Sequence, residues 1–150
     1  MTDINEPAVG QVFPVAIKNI LVPVDMRHKN ATERAIAAAV WISSQTEAPI
    51  SVLTVAKPLG ITFSDMPEDH KPEFDAFVAE MAKRHDHEIT AVFRSHESIR
   101  HVIHQVIKDN AMDFVVMATH HPRLVDHLFG SDASQTVLHE DCSVLILRGD

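Results

Sequence analysis

Apolar residues along this chain gather in short blocks, and between the blocks they recur at helical spacing. The blocks are Ile20–Val24, Ile50–Val55, Ile89–Phe93, Asp113–Met117 and Val144–Leu147. Each is too short for a helix and rich in branched side chains, so each predicts a buried strand. Pro23 cannot donate to a ladder and should sit at the carboxyl end of the first strand, where pairing stops. Asn30-Ala-Thr-Glu33 resembles a capping box that opens a helix, with Ala35, Ile36, Ala39, Val40 and Ile42 on its apolar face to about Gln45. Pro67 and Pro72 bracket the entry to a second helix, carried by Phe74, Phe77, Val78 and Met81. Ile99, Val102, Ile103, Val106 and Ile107 mark the most regular amphipathic helix of the chain. A fourth helix is predicted from Ser131 to about His139.

Strands alternating with amphipathic helices imply a parallel sheet covered on both faces. Right-handed crossovers then leave few topologies. The predicted fold is a doubly wound three-layer α/β sandwich, with a five-stranded parallel sheet in the order 3-2-1-4-5. Its switch point lies between strands one and four, which brings Asp25 beside the segment from Ala118 to Gly130. Residues 1–17, interrupted by Pro7, Gly10 and Pro14, read as an N-terminal arm, and residues 18–150 as one domain. Leu59 to Met66 forms a loop long enough to cover the sheet edge. The last strand leaves an apolar edge, Val144, Leu145, Ile146 and Leu147, that needs covering, and a two-fold dimer pairing this edge with its copy is the simplest cover.

Composition narrows the function classes. A chain of 150 residues with 45% hydrophobic content supports one full-sized core. No apolar run reaches the roughly 20 residues of a membrane span, and Met1 to Glu6 lacks the basic start of a signal peptide. The single cysteine, Cys142, rules out an internal disulfide and fits a reducing compartment, so the expected location is cytoplasmic. A formal charge of −8 argues against nucleic acid or an anionic membrane as partner.

Candidate chemistry concentrates at the switch point. The polar loop after the fourth strand closes on Gly130-Ser131, where free N–H groups and the dipole of a helix start suit phosphate. The plainer reading is that Gly130 turns the chain and Ser131 caps the helix. Asp25 likewise has two readings: it accepts N–H bonds from the following loop, or it accepts hydrogen bonds from a sugar or base over the sheet edge. The histidines, 11 in all, suggest a metal site through His101 and His104, through His85 and His87 around Asp86, or through His120, His121 and His127. Against this, Ile99, Val102, Ile103 and Val106 define the buried face of the third helix, which places His101 and His104 on its flank. There is no dinucleotide fingerprint, Walker loop or nucleophile elbow, and no evident general base or phosphate acceptor.

Taken together, these residues resemble the universal stress protein family. Ile20-Leu-Val-Pro-Val-Asp25 is similar to its opening strand, Val52-Leu-Thr-Val55 to its second and Asp113-Phe-Val-Val-Met117 to its fourth. Gly130-Ser131 and Val137 to Arg148 are similar to its closing helix and strand. The resemblance implies an adenine nucleotide alpha hydrolase-like fold, dimers through the last strand, and in many members bound ATP. The family's nucleotide loop is usually Gly-x2-Gly-x9-Gly-Ser or Thr. Here Ala118 and His121 replace the first two glycines, and eight residues separate His121 from Gly130. Thr119-His-His-Pro122 and Leu128-Phe-Gly-Ser-Asp-Ala133 look like a subgroup with a Ser-His-Arg-Pro loop followed by Leu-Leu-Gly-Ser-Asn-Ala.

Carried over by resemblance, Asp25 holds the ribose and Val24 and Val55 frame the adenine. Met117 and Ala118 line the floor, and Gly130, Ser131 and Asp132 meet the phosphates. His120 and His121 lie in the same loop. His121 stands where the subgroup has arginine, and Arg123 is placed to replace that charge. Asp132 stands where the subgroup has asparagine, and a magnesium ion bridging it to a triphosphate would reconcile it with ATP. The resulting expectation is a cytoplasmic stress-response regulator, a homodimer or larger assembly, that binds ATP or AMP and hydrolyses ATP or autophosphorylates slowly at most. The alternative is an interaction module of the same fold with an empty or closed loop. A histidine metal site is the third reading.

Overall fold

The computed structural model describes residues 16–56, 70–96, 98–119 and 142–148. Along them run β1 (Ile20–Pro23), α1 (Lys29–Thr46), β2 (Ile50–Ala56), α2 (Lys71–Arg84), β3 (Ile89–Ser95), α3 (Ile99–Asp109), β4 (Phe114–Thr119) and β5 (Ser143–Arg148). The strands form one five-stranded sheet in the order β3-β2-β1-β4-β5, with every ladder parallel. The expected topology is the observed one. The predicted fourth helix, the Leu59 to Met66 loop and most of the N-terminal arm lie outside the described residues.

Period-two alternation divides the core into two halves. Ile20, Val22, Val24, Val52, Phe114, Val116 and Ala118 face α1 and α2, together with Ala35, Ile36, Ala39, Phe74, Val78 and Met81. Leu21, Leu53, Val115 and Met117 face the other way, against Val102, Ile103, Val106 and Ile107 of α3. Central strands buried on both faces explain why their sequences read as near-continuous apolar runs. The buried face of α3 matches the predicted stripe, with Ile99 half-buried at its start.

Several boundaries differ from expectation, and two of them flank the central strands. Helix α1 begins at Lys29 with His28 at the N-cap, so the Asn30 to Glu33 capping box does not form. A turn that follows β1 sets the start instead: the His28 N–H donates to Asp25 O at 2.9 Å, and Thr32 Oγ1 reaches back to the same carbonyl at 3.1 Å. Asp113 precedes β4 rather than opening it. Its carboxylate accepts the Lys18 N–H at 3.0 and 2.9 Å and the Asn19 N–H at 3.0 Å, clamping the approach to β1 against the start of β4.

The central pair of strands separates early. Ile20 donates its N–H to Pro49 O just before β2 and Val24 donates to Leu53 O within it, so by alternation the amide positions of Leu21 and Pro23 face β4. Proline has no N–H to give. The β1–β2 register accordingly runs through Pro23↔Leu53, while the β1–β4 register stops at Leu21↔Val115. Pro23 thus ends β1 as expected and also ends its pairing at the switch point.

Candidate functional site

Of the residues expected at the site, the structure describes Val24, Asp25, Val55, Met117 and Ala118. All lie at the carboxyl ends of three adjacent strands, β2, β1 and β4. The sheet does not turn them to one side. Val24 and Ala118 belong to the core half under α1, whereas Met117 and Val55 belong to the half under α3. A ligand touching both valines must therefore lie over the edge of the sheet rather than on either face. Met117 is wholly enclosed, at 0% exposure, so its part in any floor is the packing it provides beneath. His120, His121, Arg123, Gly130, Ser131 and Asp132 lie outside the described residues.

Asp25 places a carboxylate at this edge. It follows Val24, whose N–H donates to Leu53 O at 2.8 Å and whose carbonyl accepts the buried Thr54 hydroxyl at 3.4 Å. These two contacts to β2 fix the chain immediately before the carboxylate. Asp25 Oδ1 accepts the Arg27 N–H at 3.0 Å, the loop bond that the plainer reading of this residue requires. The same oxygen accepts Arg27 Nε at 3.0 Å, and Oδ2 accepts Arg27 Nη2 at 2.7 Å, a bidentate pair. Sequence reasoning passed over Arg27; its signal was an arginine two residues beyond an aspartate that turns the chain, within reach of a local side-chain bond.

The two partners differ in exposure: the Arg27 side chain is 71% exposed and that of Asp25 only 26%. Burial pushes the Asp25 carboxyl upward, but the side-chain and backbone hydrogen bonds from Arg27 and the charges of Arg27 and His28 together hold it below its ordinary 3.8. Asp25 is therefore an anion at neutral pH, and Arg27 is raised above its ordinary value by the same contact. A fixed anion at a strand end can accept from the hydroxyls of a sugar.

Two of the described histidines meet, and a third lies far from them. His101 is exposed and stacks on His96, with ring centroids 5.0 Å apart, and its N–H donates to the Ser98 N-cap hydroxyl. His87 lies at the opposite end of the sheet, with Nε2 2.7 Å from the Ser43 hydroxyl. Among the described residues no three histidine, cysteine, aspartate or glutamate side chains gather as a metal site would require. His120, His121 and His127 lie outside them. No helix among the described residues is long and apolar enough to cross a membrane.

The universal stress protein family model matches residues 16–148. Among solved structures, universal stress protein UspA from Lactobacillus plantarum superposes with a TM-score of 0.63 at 22% identity, covering 89% of this chain and 99% of that one. A universal stress protein in complex with cAMP superposes at 0.62 with 16% identity, covering 89% and 98%. The Archaeoglobus fulgidus universal stress protein in complex with dAMP does so at 0.61 with 15% identity, covering 88% and 98%.

Proposed function

Because the chain belongs to the universal stress protein family, we propose that it binds an adenine nucleotide, ATP or AMP, over the carboxyl ends of β1 and β4. The observation that carries this reading is Asp25: a partly exposed, ionised carboxylate two residues beyond the point where Pro23 ends the β1–β4 pairing. Ligands of doubly wound sheets lie at such a switch point. Two structural relatives were crystallised with cAMP and dAMP, which supports an adenine nucleotide as the ligand class. Asp25 would accept from the ribose, Val24 and Val55 would frame the base at the edge, and Met117 and Ala118 would support it. Gly130 and Ser131 would supply N–H groups to the phosphates, with His120, His121 and Arg123 adding charge. Asp132 would meet the triphosphate through magnesium.

In this reading nucleotide occupancy sets the association of copies through the β5 edge, from Val144 to Leu147, and through it the protein regulates a stress response. Strand β5 is outermost in the sheet, which supports that edge as the contact. A second reading rests on one specific observation. Arg27 already holds both oxygens of the Asp25 carboxylate, as it would in an interaction module that never binds nucleotide.

Denaturing freshly purified protein and identifying released small molecules by absorbance and mass separates the two. ATP, ADP or AMP near one per chain, lost in a folded Gly130→Val variant, is the expected result. Nucleotide retained by Gly130→Val would remove the phosphates from Gly130 and Ser131. An empty protein whose melting is unmoved by magnesium-ATP would leave the interaction module.

A further inference from the structure

The Asp25 carboxylate has about four lone-pair positions to offer. Three are taken among the described residues: both on Oδ1, by the backbone N–H and Nε of Arg27, and one on Oδ2, by Nη2. One position on Oδ2 remains. A ribose presents a cis-diol with two O–H donors, whereas a 2′-deoxyribose presents one hydroxyl at that place. A single donor fits the remaining position, but a cis-diol needs one of the positions that Arg27 holds. The backbone N–H is fixed by the turn into α1, so the group that must leave is the guanidinium. It is free to do so, since the Arg27 side chain is mostly exposed while the Asp25 side chain is mostly enclosed.

The geometry points to Arg27 as a built-in competitor for the ribose-binding carboxylate, a specificity-determining residue that weakens binding of cis-diol ligands. This inference rests on the nucleotide reading of Asp25. A competitor that covers the carboxylate most of the time lowers apparent affinity by the fraction of time the carboxylate is open. It acts on ribonucleosides more than on deoxynucleosides, and it reduces the protein's discrimination between them.

The test uses the full chain with adenosine and 2′-deoxyadenosine as probes, because neither carries a phosphate that the arginine could attract. Calorimetric titration of Arg27→Ala should show adenosine bound about threefold to tenfold more tightly than by wild type, the range expected for losing an exposed but bidentate ion pair. The gain for 2′-deoxyadenosine should be about twofold or less, since its single donor already has a position. Arg27→Lys, which keeps the charge but cannot bond both oxygens in a fork, should fall between. In an Asp25→Asn background, Arg27→Ala should bring no gain. Unchanged or weaker adenosine binding by Arg27→Ala, with wild type binding measurably, would overturn the competitor and leave the nucleotide site standing. So would equal gains for the two nucleosides, or a gain that survives Asp25→Asn. If neither wild type nor Arg27→Ala binds adenosine or magnesium-ATP, the nucleotide reading itself fails and takes this inference with it.

Discussion

Replacing Asp113 with alanine should destabilise the protein by about 2 kcal/mol. The ladder between β1 and β4 carries only the pairs Ile20↔Phe114 and Leu21↔Val115. Toward the carboxyl end Pro23 stops it. Toward the amino end the Asp113 carboxylate prolongs it by taking the Lys18 N–H at both oxygens and the Asn19 N–H at Oδ1. Two donors to an ionised acceptor give an upper range of about 1.5–3 kcal/mol each, and partial solvent exposure brings this to about 1 kcal/mol each. At roughly 2–4 °C per kcal/mol for a domain of this size, the melting temperature should fall by about 4–8 °C. Asp113→Asn keeps a carbonyl oxygen where Oδ1 stands, able to accept from both amides but without charge, and should lose about half as much. Differential scanning calorimetry at one fixed protein concentration is the assay, since association would move the midpoint with concentration. A midpoint for Asp113→Ala within about 1 °C of wild type would refute the reasoning. The short ladder would then hold without its clamp.

Three further outcomes follow from other parts of the fold. Ser43 Oγ donates to Ala48 O at 2.6 Å, so its only proton is spent and His87 must donate to it from Nε2. The ¹⁵N shifts of His87 should report the Nε2–H tautomer, and Ser43→Ala should cost about 2 kcal/mol by leaving the Ala48 carbonyl unpaired; an Nδ1–H tautomer contradicts this. The Asp25 carboxyl titrates lower in the folded chain than its ordinary 3.8, so its contribution to stability is complete above that value and disappears as pH falls through the lowered folded value. In Arg27→Ala the upward push of burial should prevail, raising the carboxyl ¹³C titration midpoint above that of wild type, and an unmoved midpoint would mean the arginine is not the cause. Finally, Ser143 donates to Asp113 O, so the amides of Val144 and Ile146 face away from β4. Ile146→Pro removes an outward N–H while sparing the β4–β5 ladder and should halve the mass seen by light scattering; a wild type already monomeric defeats the dimer.

The strand order was legible because burial and connection rules act together. Five apolar blocks joined by helical stripes admit few right-handed arrangements, and a central strand buried on both faces cannot read otherwise. Boundaries were less legible. Strand β3 runs on past Phe93 because Arg94 and Ser95 pair with Val55 and Ala56 through the backbone, and apolar patterning records burial rather than pairing. The start of α1 was misplaced for a related reason. Asn30 to Glu33 is a sound local signal, but the turn anchored on Asp25 had already begun the helix at Lys29, so Asn30 falls inside the first turn and Thr32 is drawn back to the Asp25 carbonyl. A cap is a local preference of about 1 kcal/mol, and a turn fixed to a buried strand end outweighs it.

The place of Pro23 and Asp25 at the switch point was legible in the same way, and the partner of the carboxylate was not. Pro23 and Asp25 could be read directly: one marks where the central pair must part, and the other is a carboxylate set just beyond. What fills the carboxylate depends on a rotamer of Arg27, a long side chain whose sequence neighbours do not restrict it. Its choice of Asp25 over solvent follows from the turn, which brings its backbone N–H onto Oδ1 and so starts the side chain within reach of both oxygens. One turn therefore does two opposed things. It presents an anion at the switch point, and it supplies a cation that covers it. In the proposed nucleotide reading, the affinity of this edge for a ribonucleotide would depend on the competition between a guanidinium and a diol for one carboxylate, as well as on how many residues match a family motif.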